Sequence, residues 1–351
     1  MKFTIERAPF IKALSHIQSI VDRRNTIPIL SNVKIEAGRD IILTATDLDI
    51  YAVETVPASI TDQGAITVSA HLLHDIAKKM PDGAQISVEA KDGKLIIKAG
   101  RSRFTLPTIP VDDYPVFPFQ ADVTFTMAGD DLISAIDKTR FAMSSEETRY
   151  YLNGLFWHSK DGLTIAATDG HRLSTHVIRH DTAIPDIIVP RKAINEVRKL
   201  VSGGNVTVDI GNQKIRFTVD HVTLASKLID GTFPDYTRVI PKNNPNLLTV
   251  DANAMRLALD RVATVASDKT KGVKLTLTHD TVTVSIVSPD NGAASEDIAC
   301  QYSGTVMEIG FNSSYLKDIL SQFDGAVSWE VGDPNGPCLI GGAYVLMPMR
   351  V

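Results

Sequence analysis

One sequence pattern recurs three times along the chain, with a period of about 122 residues. The first copy begins with Phe3-Thr4-Ile5, the second with Phe125-Thr126-Met127 and the third with Leu248-Thr249-Val250. A repeat of this length is long enough for each copy to bury a core of its own. The sequence of 351 residues therefore predicts three domains of one kind, at residues 1–120, 121–243 and 244–351.

Each repeat contains two helical patterns separated by short strand-like segments. Apolar residues recur at the helical spacing in residues 9–21, 70–80, 130–142, 191–201, 252–266 and 313–323. Between them lie β-branched runs such as Val206-Thr207-Val208 and hairpin turns such as Asp92-Gly93. Gly83, Gly204 and Gly325 follow the second helix of each repeat, and we expect them to end it. Helices separated by hairpin-linked strands are typical of α+β domains with antiparallel sheets.

The charge of the chain is distributed unevenly. The net charge is −5, but the windows around the helices carry +7, which leaves −12 for the strands and loops. If the helices share one surface, that surface attracts the phosphates of nucleic acid. Lysine and arginine are also common on exposed helix faces that bind nothing, so the charge alone leaves both interpretations open. The residues favoured as nucleic-acid contacts are Arg24, Arg191, Lys192, Arg198 and Lys199.

The sequence predicts a cytoplasmic protein without a membrane segment. No apolar run approaches the roughly 20 residues that a bilayer-spanning helix needs. Residues 1–7 mix charged with apolar side chains and lack the apolar core of a secretory signal. Cys300 and Cys338 are the two cysteines, and we expect both to be reduced thiols.

Two segments could be mistaken for a metal site or a catalytic site. His71 and His74 are three residues apart on a predicted helix, but no third ligand follows at a suitable spacing. Thr168-Asp169-Gly170-His171-Arg172 contains residues capable of acid–base chemistry, but Thr46-Asp47 stands at the matching place of the first repeat without a histidine. This correspondence favours a structural turn common to the repeats. We therefore expect no metal, no cofactor and no enzymatic activity.

Several short segments, taken in order, lead to a known family. They are Met1-Lys2-Phe3-Thr4, Thr26-Ile27-Pro28-Ile29-Leu30, Arg101-Ser102-Arg103-Phe104, Arg149-Tyr150-Tyr151-Leu152-Asn153-Gly154, Ala167-Thr168-Asp169-Gly170-His171-Arg172-Leu173, Phe233-Pro234-Asp235-Tyr236, Glu308-Ile309-Gly310-Phe311-Asn312 and Met347-Pro348-Met349-Arg350. Across its full length the chain resembles the bacterial DNA polymerase III beta subunit family, the sliding clamps. The resemblance implies three repeated DNA-clamp domains, each with two helices packed on antiparallel sheets, and a head-to-tail homodimer that closes a ring around duplex DNA.

The function implied by this resemblance is that of a non-catalytic processivity factor. A clamp holds DNA by encirclement, so a positive lining suffices and no base needs to be read. Short linear peptides would tether the DNA polymerase III alpha subunit, the clamp loader, other polymerases and repair proteins. A scaffold that collects such peptides without encircling DNA is the alternative interpretation.

The resemblance also implies a partner-peptide pocket between the second and third domains. Carried over residue by residue, it uses Leu152, Thr168, Gly170, His171, Arg172, Leu173, Pro234, Arg238, Val239, Asn312, Tyr315, Val345, Met347, Pro348, Met349 and Arg350. Methionine is unbranched and polarizable, so Met347 and Met349 suit a surface that repacks around different ligands. Without the resemblance, the same tail could equally be a packed last strand.

The remaining implied residues belong to a DNA-contacting segment and to a seam between two subunits. Arg24, Tyr150 and Tyr151 match family positions that contact DNA, and Arg149 belongs to the same motif. Some relatives have a neutral residue that contacts DNA at the position of Glu146. An acid there would repel phosphate, so Glu146 is left out of the expected DNA contacts. The seam is expected to join the hairpin at residues 94–106 to the strand at residues 296–302 through Arg101, Arg103, Phe104, Leu106, Val265, Glu296 and Asp297.

Overall fold

The computed structural model of the chain describes residues 1–160, 162–266 and 271–351. In this part of the chain each repeat contains the two predicted α-helices. Their bounds are α1 (Arg7–Gln18), α2 (Ala70–Lys79), α3 (Gly129–Thr139), α4 (Arg191–Leu200), α5 (Ala252–Val262) and α6 (Ser313–Leu320). Short 3-10 turns follow α3 at Arg140–Ala142 and α5 at Ala263–Val265, so these two helical segments end close to where the sequence predicts.

Antiparallel strands make up the rest of each repeat. The first repeat contains β1 (Lys2–Glu6), β2 (Asn32–Ala37), β3 (Ile41–Thr46), β4 (Ile50–Val56), β5 (Ser59–Asp62), β6 (Gly64–Ser69), β7 (Gln85–Lys91), β8 (Lys94–Ala99) and β9 (Ser102–Pro107). The second contains β10 (Val123–Ala128), β11 (Gly154–Ser159), β12 (Leu163–Thr168), β13 (Arg172–Ile178), β14 (Ile187–Pro190), β15 (Asn205–Gly211), β16 (Lys214–Val219) and β17 (Val222–Lys227). The third contains β18 (Asn246–Asp251), β19 (Gly272–Leu277), β20 (Thr281–Ser288), β21 (Gly292–Tyr302), β22 (Met307–Asn312), β23 (Ala326–Val331), β24 (Cys338–Ile340) and β25 (Tyr344–Leu346).

The described chain forms two compact units, and the middle repeat divides between them. One unit holds residues 1–134 and 187–230, with sheets in the order β5-β1-β7-β8-β9 and β10-β15-β16-β17-β4-β3-β2-β6. The other holds residues 135–186 and 231–351, where the strand order is β11-β12-β13-β25-β24-β23-β18-β21-β20-β19-β22. The division follows from strand pairing, because the last strand of a repeat pairs with the third strand after the first helix of the preceding repeat. Thus β17 pairs with β4, and β25 pairs with β13.

The core positions that the repeat predicts are buried in all three copies. They are Phe10, Ala13, Leu14 and Ile17 in α1, Leu132, Ala135, Ile136 and Thr139 in α3, and Met255, Ala258, Leu259 and Val262 in α5. Thr139 is the one polar member of this set, and its hydroxyl donates to the Ala135 carbonyl at 2.6 Å. The polar atom is therefore satisfied within its own helix, which allows threonine at a core position.

The prediction that three glycines end the second helix of each repeat is wrong, because each helix ends several residues earlier. The residues that follow α2 and α4 directly, Met80 and Val201, have extended backbone, so neither helix ends in a left-handed glycine. Gly83, Gly204 and Gly325 instead occupy the turns that lead to the next strand, with φ of 72°, 70° and 85°. A side chain there would meet no atom within 4 Å, so the backbone conformation alone favours glycine.

Two expectations about chemistry can be compared with the described residues. Cys300 and Cys338 are free, and burial raises the pKa of the Cys338 thiol to about 12. No helix in the described part of the chain is both long and apolar enough to span a bilayer.

Candidate functional sites

The Thr168-to-Arg172 segment is a tight turn fixed by its own side chains. The Thr168 hydroxyl donates to the Arg172 carbonyl at 2.7 Å and accepts the Gly170 N–H at 3.1 Å. Asp169 Oδ1 accepts the N–H groups of His171 and Arg172 at 2.9 and 3.0 Å. Gly170 has a φ of 89°, which favours glycine. The turn presents the His171 side chain outward, while the Asp169 carboxylate is used to hold the backbone.

The first repeat contains the same turn, which confirms that it is structural. The Thr46 hydroxyl donates to the Ile50 carbonyl at 2.8 Å and accepts the Leu48 N–H at 3.0 Å. Asp47 Oδ1 accepts the N–H groups of Asp49 and Ile50, as Asp169 does in the second repeat. Leu48 takes the place of Gly170 with a φ of 80°. Because the first repeat forms the same turn without a histidine, the Thr-Asp pair in this turn is explained by its backbone hydrogen bonds and not by acid–base chemistry.

Arg172 joins this turn to helix α6. Its guanidinium donates to Asp169 Oδ2 at 3.0 Å, to Asp318 Oδ2 at 2.6 Å and to the Phe141 carbonyl at 2.6 Å. The guanidinium carbon also lies 4.2 Å from the centre of the Tyr315 ring. The Arg172 side chain is only 9% exposed, so its charge is both paired and shielded from water. Arg172 therefore supports the pocket from beneath rather than acting as a free cation.

Tyr315 and His171 form an aromatic wall above Arg172. Their rings stack with centroids 6.3 Å apart. Tyr315 is placed by the start of α6, where Asn312 Oδ1 accepts the N–H groups of Ser314 and Tyr315 at 3.0 and 3.3 Å. Burial raises the pKa of the Tyr315 phenol, so the phenol stays protonated and can donate a hydrogen bond at neutral pH.

The tail continues from β25, which lies between β13 and β24, and passes this wall as an extended segment. Val345 is buried opposite Leu173 where β25 pairs with β13. The Met347 N–H then donates to the His171 carbonyl at 2.9 Å, and the Met349 N–H donates to the Gly310 carbonyl at 2.8 Å. Pro348 stands between the two donors, where its missing N–H costs no hydrogen bond. The Met347 and Met349 side chains are 39% and 40% exposed, so both present apolar surface to solvent.

Two glycines that sequence reasoning missed make room for the tail. A Cβ atom at Gly310 would lie 2.4 Å from the Met349 carbonyl oxygen, and one at Gly272 would lie 2.5 Å from a Val351 methyl group. Both glycines lie on neighbouring strands, β22 and β19. Gly310 is part of a segment that carries the resemblance, but nothing in its spacing shows that the C-terminal tail passes over it.

Two cavities flank the tail. One of about 330 Å³ lies beside Met349, and its floor includes Gly272, Ile286 and Val287. The other, of about 500 Å³, lies beside Pro348 and is lined in part by Glu308 and Asn335. Volumes of this size suit side chains of a short peptide better than a whole folded domain.

The other predicted pocket residues are positioned from the second repeat and the linker. Leu152 is buried, and Pro234 is exposed next to Phe233. Val239 is 49% exposed. Arg238 pairs with Asp235 at 2.8 Å and is 83% exposed. The structure thus brings together the Thr168-to-Leu173 turn, Asn312, Tyr315 and the tail, and the place of Pro234, Arg238 and Val239 in the pocket stays a prediction.

The predicted nucleic-acid contacts on α4 are largely engaged within their own unit. The Lys192 ammonium contacts Asp47 at 2.5 Å, Asp22 at 3.1 Å and the Ile20 carbonyl at 3.2 Å. Lys199 contacts the buried Glu196 at 2.7 Å. These lysines help to hold α4, and acids offset much of their charge. Arg24 is exposed, and Arg191 and Arg198 are half-buried. DNA contact at these five positions stays a prediction.

A 3-10 segment, Glu147–Leu152, carries the predicted aromatic contacts. Tyr150 is 53% exposed and meets Tyr151 edge to face, with centroids 5.8 Å apart. Arg149 interrupts the segment with non-helical backbone and pairs with Glu146. An exposed tyrosine pair next to a cation can stack on unpaired bases and contact phosphate.

Most of the predicted seam residues lie on β9, at the edge of its sheet, and on β21, while Arg101 precedes β9 and Val265 lies in a 3-10 turn. Arg101 and Arg103 are exposed, Phe104 is 36% exposed, and Leu106 is buried on β9. On the other unit, Val265 packs against the core of the third repeat. Glu296 pairs with Arg261 and Asp297 accepts the Thr283 hydroxyl at 2.7 Å, so each acid already has a partner within the chain.

Three α+β repeats with a peptide-sized pocket define a DNA-clamp protein. Profiles of the DNA polymerase III beta subunit match in order: the N-terminal domain over residues 1–118, the central domain over 126–235 and the C-terminal domain over 237–350. The beta sliding clamp of Caulobacter vibrioides NA1000 is 44% identical over 372 residues, which cover both chains completely. A sliding clamp from Bartonella birtlesii, solved with griselimycin bound, has a TM-score of 0.97 and 40% identity over the full length of both chains. A Caulobacter crescentus clamp has a TM-score of 0.95 and 44% identity over 100% of this chain and 99% of its own.

The chain therefore belongs to the DNA polymerase III beta subunit family, as its sequence predicts. Its function is that of a sliding clamp, a processivity factor of the replicative polymerase. It is an accessory subunit and not an enzyme. These comparisons do not favour the alternative of a scaffold that leaves DNA unencircled. The limits of the three domains at 120 and 243 stay a prediction.

Proposed function

We propose that this clamp works in the cytoplasm as a homodimeric ring around duplex DNA and binds its partners through the pocket along the tail. The partners are the DNA polymerase III alpha subunit, the clamp loader, other polymerases and repair proteins, each bound through a short linear peptide. One observation carries the proposal: Met347 and Met349 are exposed yet fixed by backbone hydrogen bonds to His171 and Gly310. A fixed apolar edge beside an aromatic wall gains contacts with a peptide at little ordering cost.

A double substitution tests the pocket. Met347→Ala with Met349→Ala removes both thioethers and keeps the backbone bonds that hold the tail. We expect a loss of affinity for griselimycin, used as the probe, and for a peptide of the alpha subunit, while the dimer stays intact. The matched control is Leu257→Ala with Val306→Ala, which removes two side chains that are 48% and 71% exposed in the same unit. Titration calorimetry measures affinity and sedimentation measures assembly; wild-type affinity in the double variant would refute the pocket.

The seam between subunits follows from the internal strand pairing. Residues that lie directly opposite one another on neighbouring strands form a line across each sheet. In the second repeat this line runs through Phe125, Val208, Phe217 and Leu224 and reaches Ala52 of the first repeat. In the third repeat it runs through Leu248, Trp329, Ile340 and Tyr344 and reaches Ser174 of the second repeat. The first repeat has the line Phe3, Val88, Ile97 and Phe104, and β9 forms the outer edge of its sheet. Leu224 and Tyr344 are 1% and 4% exposed, whereas Phe104 is 36% exposed.

The missing neighbour of Phe104 is the third strand after the first helix of the third repeat. The strand at this position is β21, and Ala294 corresponds there to Ala52 and Ser174 because it lies opposite Ile286. We therefore place Phe104 of one subunit opposite Ala294 of the partner subunit, with Thr105 opposite Ala293 of the partner subunit. Such a head-to-tail contact closes a ring after two copies.

DNA retention tests encirclement directly. Clamp loaded on a nicked circular plasmid should stay bound in gel filtration at 0.5 M salt, since a ring is held by topology rather than by charge. After linearisation, the same clamp should slide off the open ends. Equal retention on both forms would support the non-encircling scaffold instead. The positions expected to contact DNA inside and beside the ring are Arg24, Arg149, Tyr150, Tyr151, Arg191, Lys192, Arg198 and Lys199.

A further inference from the structure

Glu146 is held in a fixed position by its own backbone. Its N–H donates to Ser144 Oγ at 3.1 Å. Its carbonyl accepts the Arg149 N–H at 3.3 Å and the Asn153 side-chain amide at 3.1 Å. Three hydrogen bonds fix the backbone of this exposed residue, and therefore the point from which its side chain extends.

The carboxylate of Glu146 engages Arg149 with both oxygens. Arg149 Nε donates to Oε2 at 2.8 Å, and Nη2 donates to Oε1 at 2.6 Å. The hydrogen bonds from Arg149 hold the pKa of Glu146 below its usual range, and the same contacts raise the pKa of Arg149. A bidentate pair fixes the plane of the guanidinium as well as its position.

The fixed guanidinium lies directly on the turn that presents His171. A Cβ atom on Gly170 would be 2.6 Å from Arg149 Nη1, so the guanidinium occupies the space that the glycine leaves open. His171 in turn stacks on Tyr315. Arg149 thus packs against the turn that carries one wall of the proposed peptide pocket, although Tyr150 and Tyr151 follow it directly in the segment expected to contact DNA.

We infer that Glu146 is a positioning residue that assigns Arg149 to the peptide pocket and withholds it from DNA phosphate. The inference rests on the proposed DNA contact of the 147–152 segment. The carboxylate occupies the Nε–Nη2 edge of the guanidinium and neutralises its charge, so a phosphate can bind bidentately at that edge only after the carboxylate has left. The side chains of Arg149 and Glu146 are 33% and 53% exposed, so solvent and salt screen the ion pair. Replacing the carboxylate by a phosphate therefore costs little free energy. The same cation therefore serves one surface or the other.

Glu146→Gln in the full-length dimer tests this assignment, with Glu147→Gln as the matched control. Glu147 is the exposed neighbour, and its substitution changes the net charge of the chain by the same amount. The DNA probe is a fluorescein-labelled linear duplex with a single-stranded overhang, titrated at several salt concentrations. The pocket probe is griselimycin.

In Glu146→Gln we expect DNA affinity at low salt to rise about two- to five-fold above that of Glu147→Gln. The slope of log affinity against log salt should steepen by about 0.7–0.9, as for one added phosphate contact. Griselimycin affinity should fall about two- to five-fold, because Arg149 leaves the pocket wall. Adding Arg149→Gln to Glu146→Gln should abolish the gain in DNA affinity, which a merely structural role of Glu146 would not predict.

Identical salt slopes and identical griselimycin affinities in the two glutamate variants would overturn the inference. Tyr150→Ala separates this failure from a failure of the proposed function. If Tyr150→Ala weakens DNA binding while the glutamate variants behave alike, the segment contacts DNA and only the role of Glu146 is refuted. If Tyr150→Ala leaves DNA binding unchanged, the segment does not contact DNA, and both the proposed contact and the inference are refuted.

Discussion

Replacing Gly310 by alanine tests whether the position of the tail creates the pocket. The added Cβ atom would lie 2.4 Å from the Met349 carbonyl oxygen and 2.6 and 2.8 Å from the two methyl groups of Val351. Contacts this short force one partner to move. The backbone at Gly310 is outside the left-handed region, so alanine fits β22 itself and the tail has to shift.

The cost of that shift can be worked out from the contacts that the tail makes. The hydrogen bond from the Met349 N–H to the Gly310 carbonyl is lost, which costs about 0.5–1.5 kcal/mol of the free energy of unfolding. Peptide binding should suffer more, because Met349 and Arg350 leave the cavities that they line. We expect the Kd for griselimycin to rise about 10- to 100-fold, or about 1.4–2.8 kcal/mol.

Calorimetric titration and a thermal melt of the same sample separate the two effects. Gly38→Ala is the matched control, because a Cβ atom there meets nothing within 4 Å and its φ is also outside the left-handed region. This control should leave the Kd unchanged and alter the free energy of unfolding by no more than about 1 kcal/mol. If Gly310→Ala keeps wild-type affinity in a folded dimer, the tail is not what shapes the pocket.

Three further outcomes follow from the same geometry. Thr105→Cys with Ala293→Cys should form an intersubunit disulfide seen as a covalent dimer on a non-reducing gel, whereas Thr105→Cys with Ala299→Cys should not, since the second pair is out of register. Asp318→Asn removes one acid from buried Arg172 and should lower the free energy of unfolding by about 1–3 kcal/mol, measured by urea denaturation, with Asp324→Asn as an exposed control. Leu48→Gly should raise the melting temperature, because glycine relieves the left-handed backbone strain at this position. Leu72→Gly, inside α2, should lower the melting temperature.

Periodicity in the sequence predicts the elements well but not how they share sheets. The apolar spacing of α1, α3 and α5 places their buried faces correctly because a helix needs only local order to show its pattern. The exchange of strands between repeats leaves no such trace. Strand β17 has the same alternation whether its edge pairs within its own repeat or with β4 of the preceding one. The compact units therefore differ from the repeats that the sequence shows.

The candidate site shows the same limit. The resemblance supplies His171, Tyr315 and Met347, and the structure brings all three together. Composition could not show that the C-terminal tail passes so close to Gly310 that a side chain there would collide with it. Counting charges also overestimates the positive charge that the lysines on α4 can offer to phosphate. Lys192 pairs with Asp22 and Asp47, which lie far away in the sequence. Net charge in a window says nothing about which acid a lysine meets after folding.

The two units build the same backbone arrangement around the last strand of a repeat. In the first unit the Lys227 N–H donates to the Asp49 carbonyl and the Ile229 N–H donates to the Ile188 carbonyl, as Met347 and Met349 donate to His171 and Gly310 in the second. The backbone of the added strand is therefore the same in both.

The side chains on that shared backbone differ. Counted from the residue before each helix, Ala193 in α4 stands where Tyr315 stands in α6, so the first unit lacks the aromatic ring. Leu48 replaces Gly170, and Lys192 reaches across to Asp47 instead of leaving the turn open. Lys227 also pairs with Asp49 at 3.0 Å where the second unit exposes a methionine. The proposed peptide binding thus depends on a few substitutions over a repeated fold, since only the second unit has the tyrosine, the glycine and the two methionines at these positions.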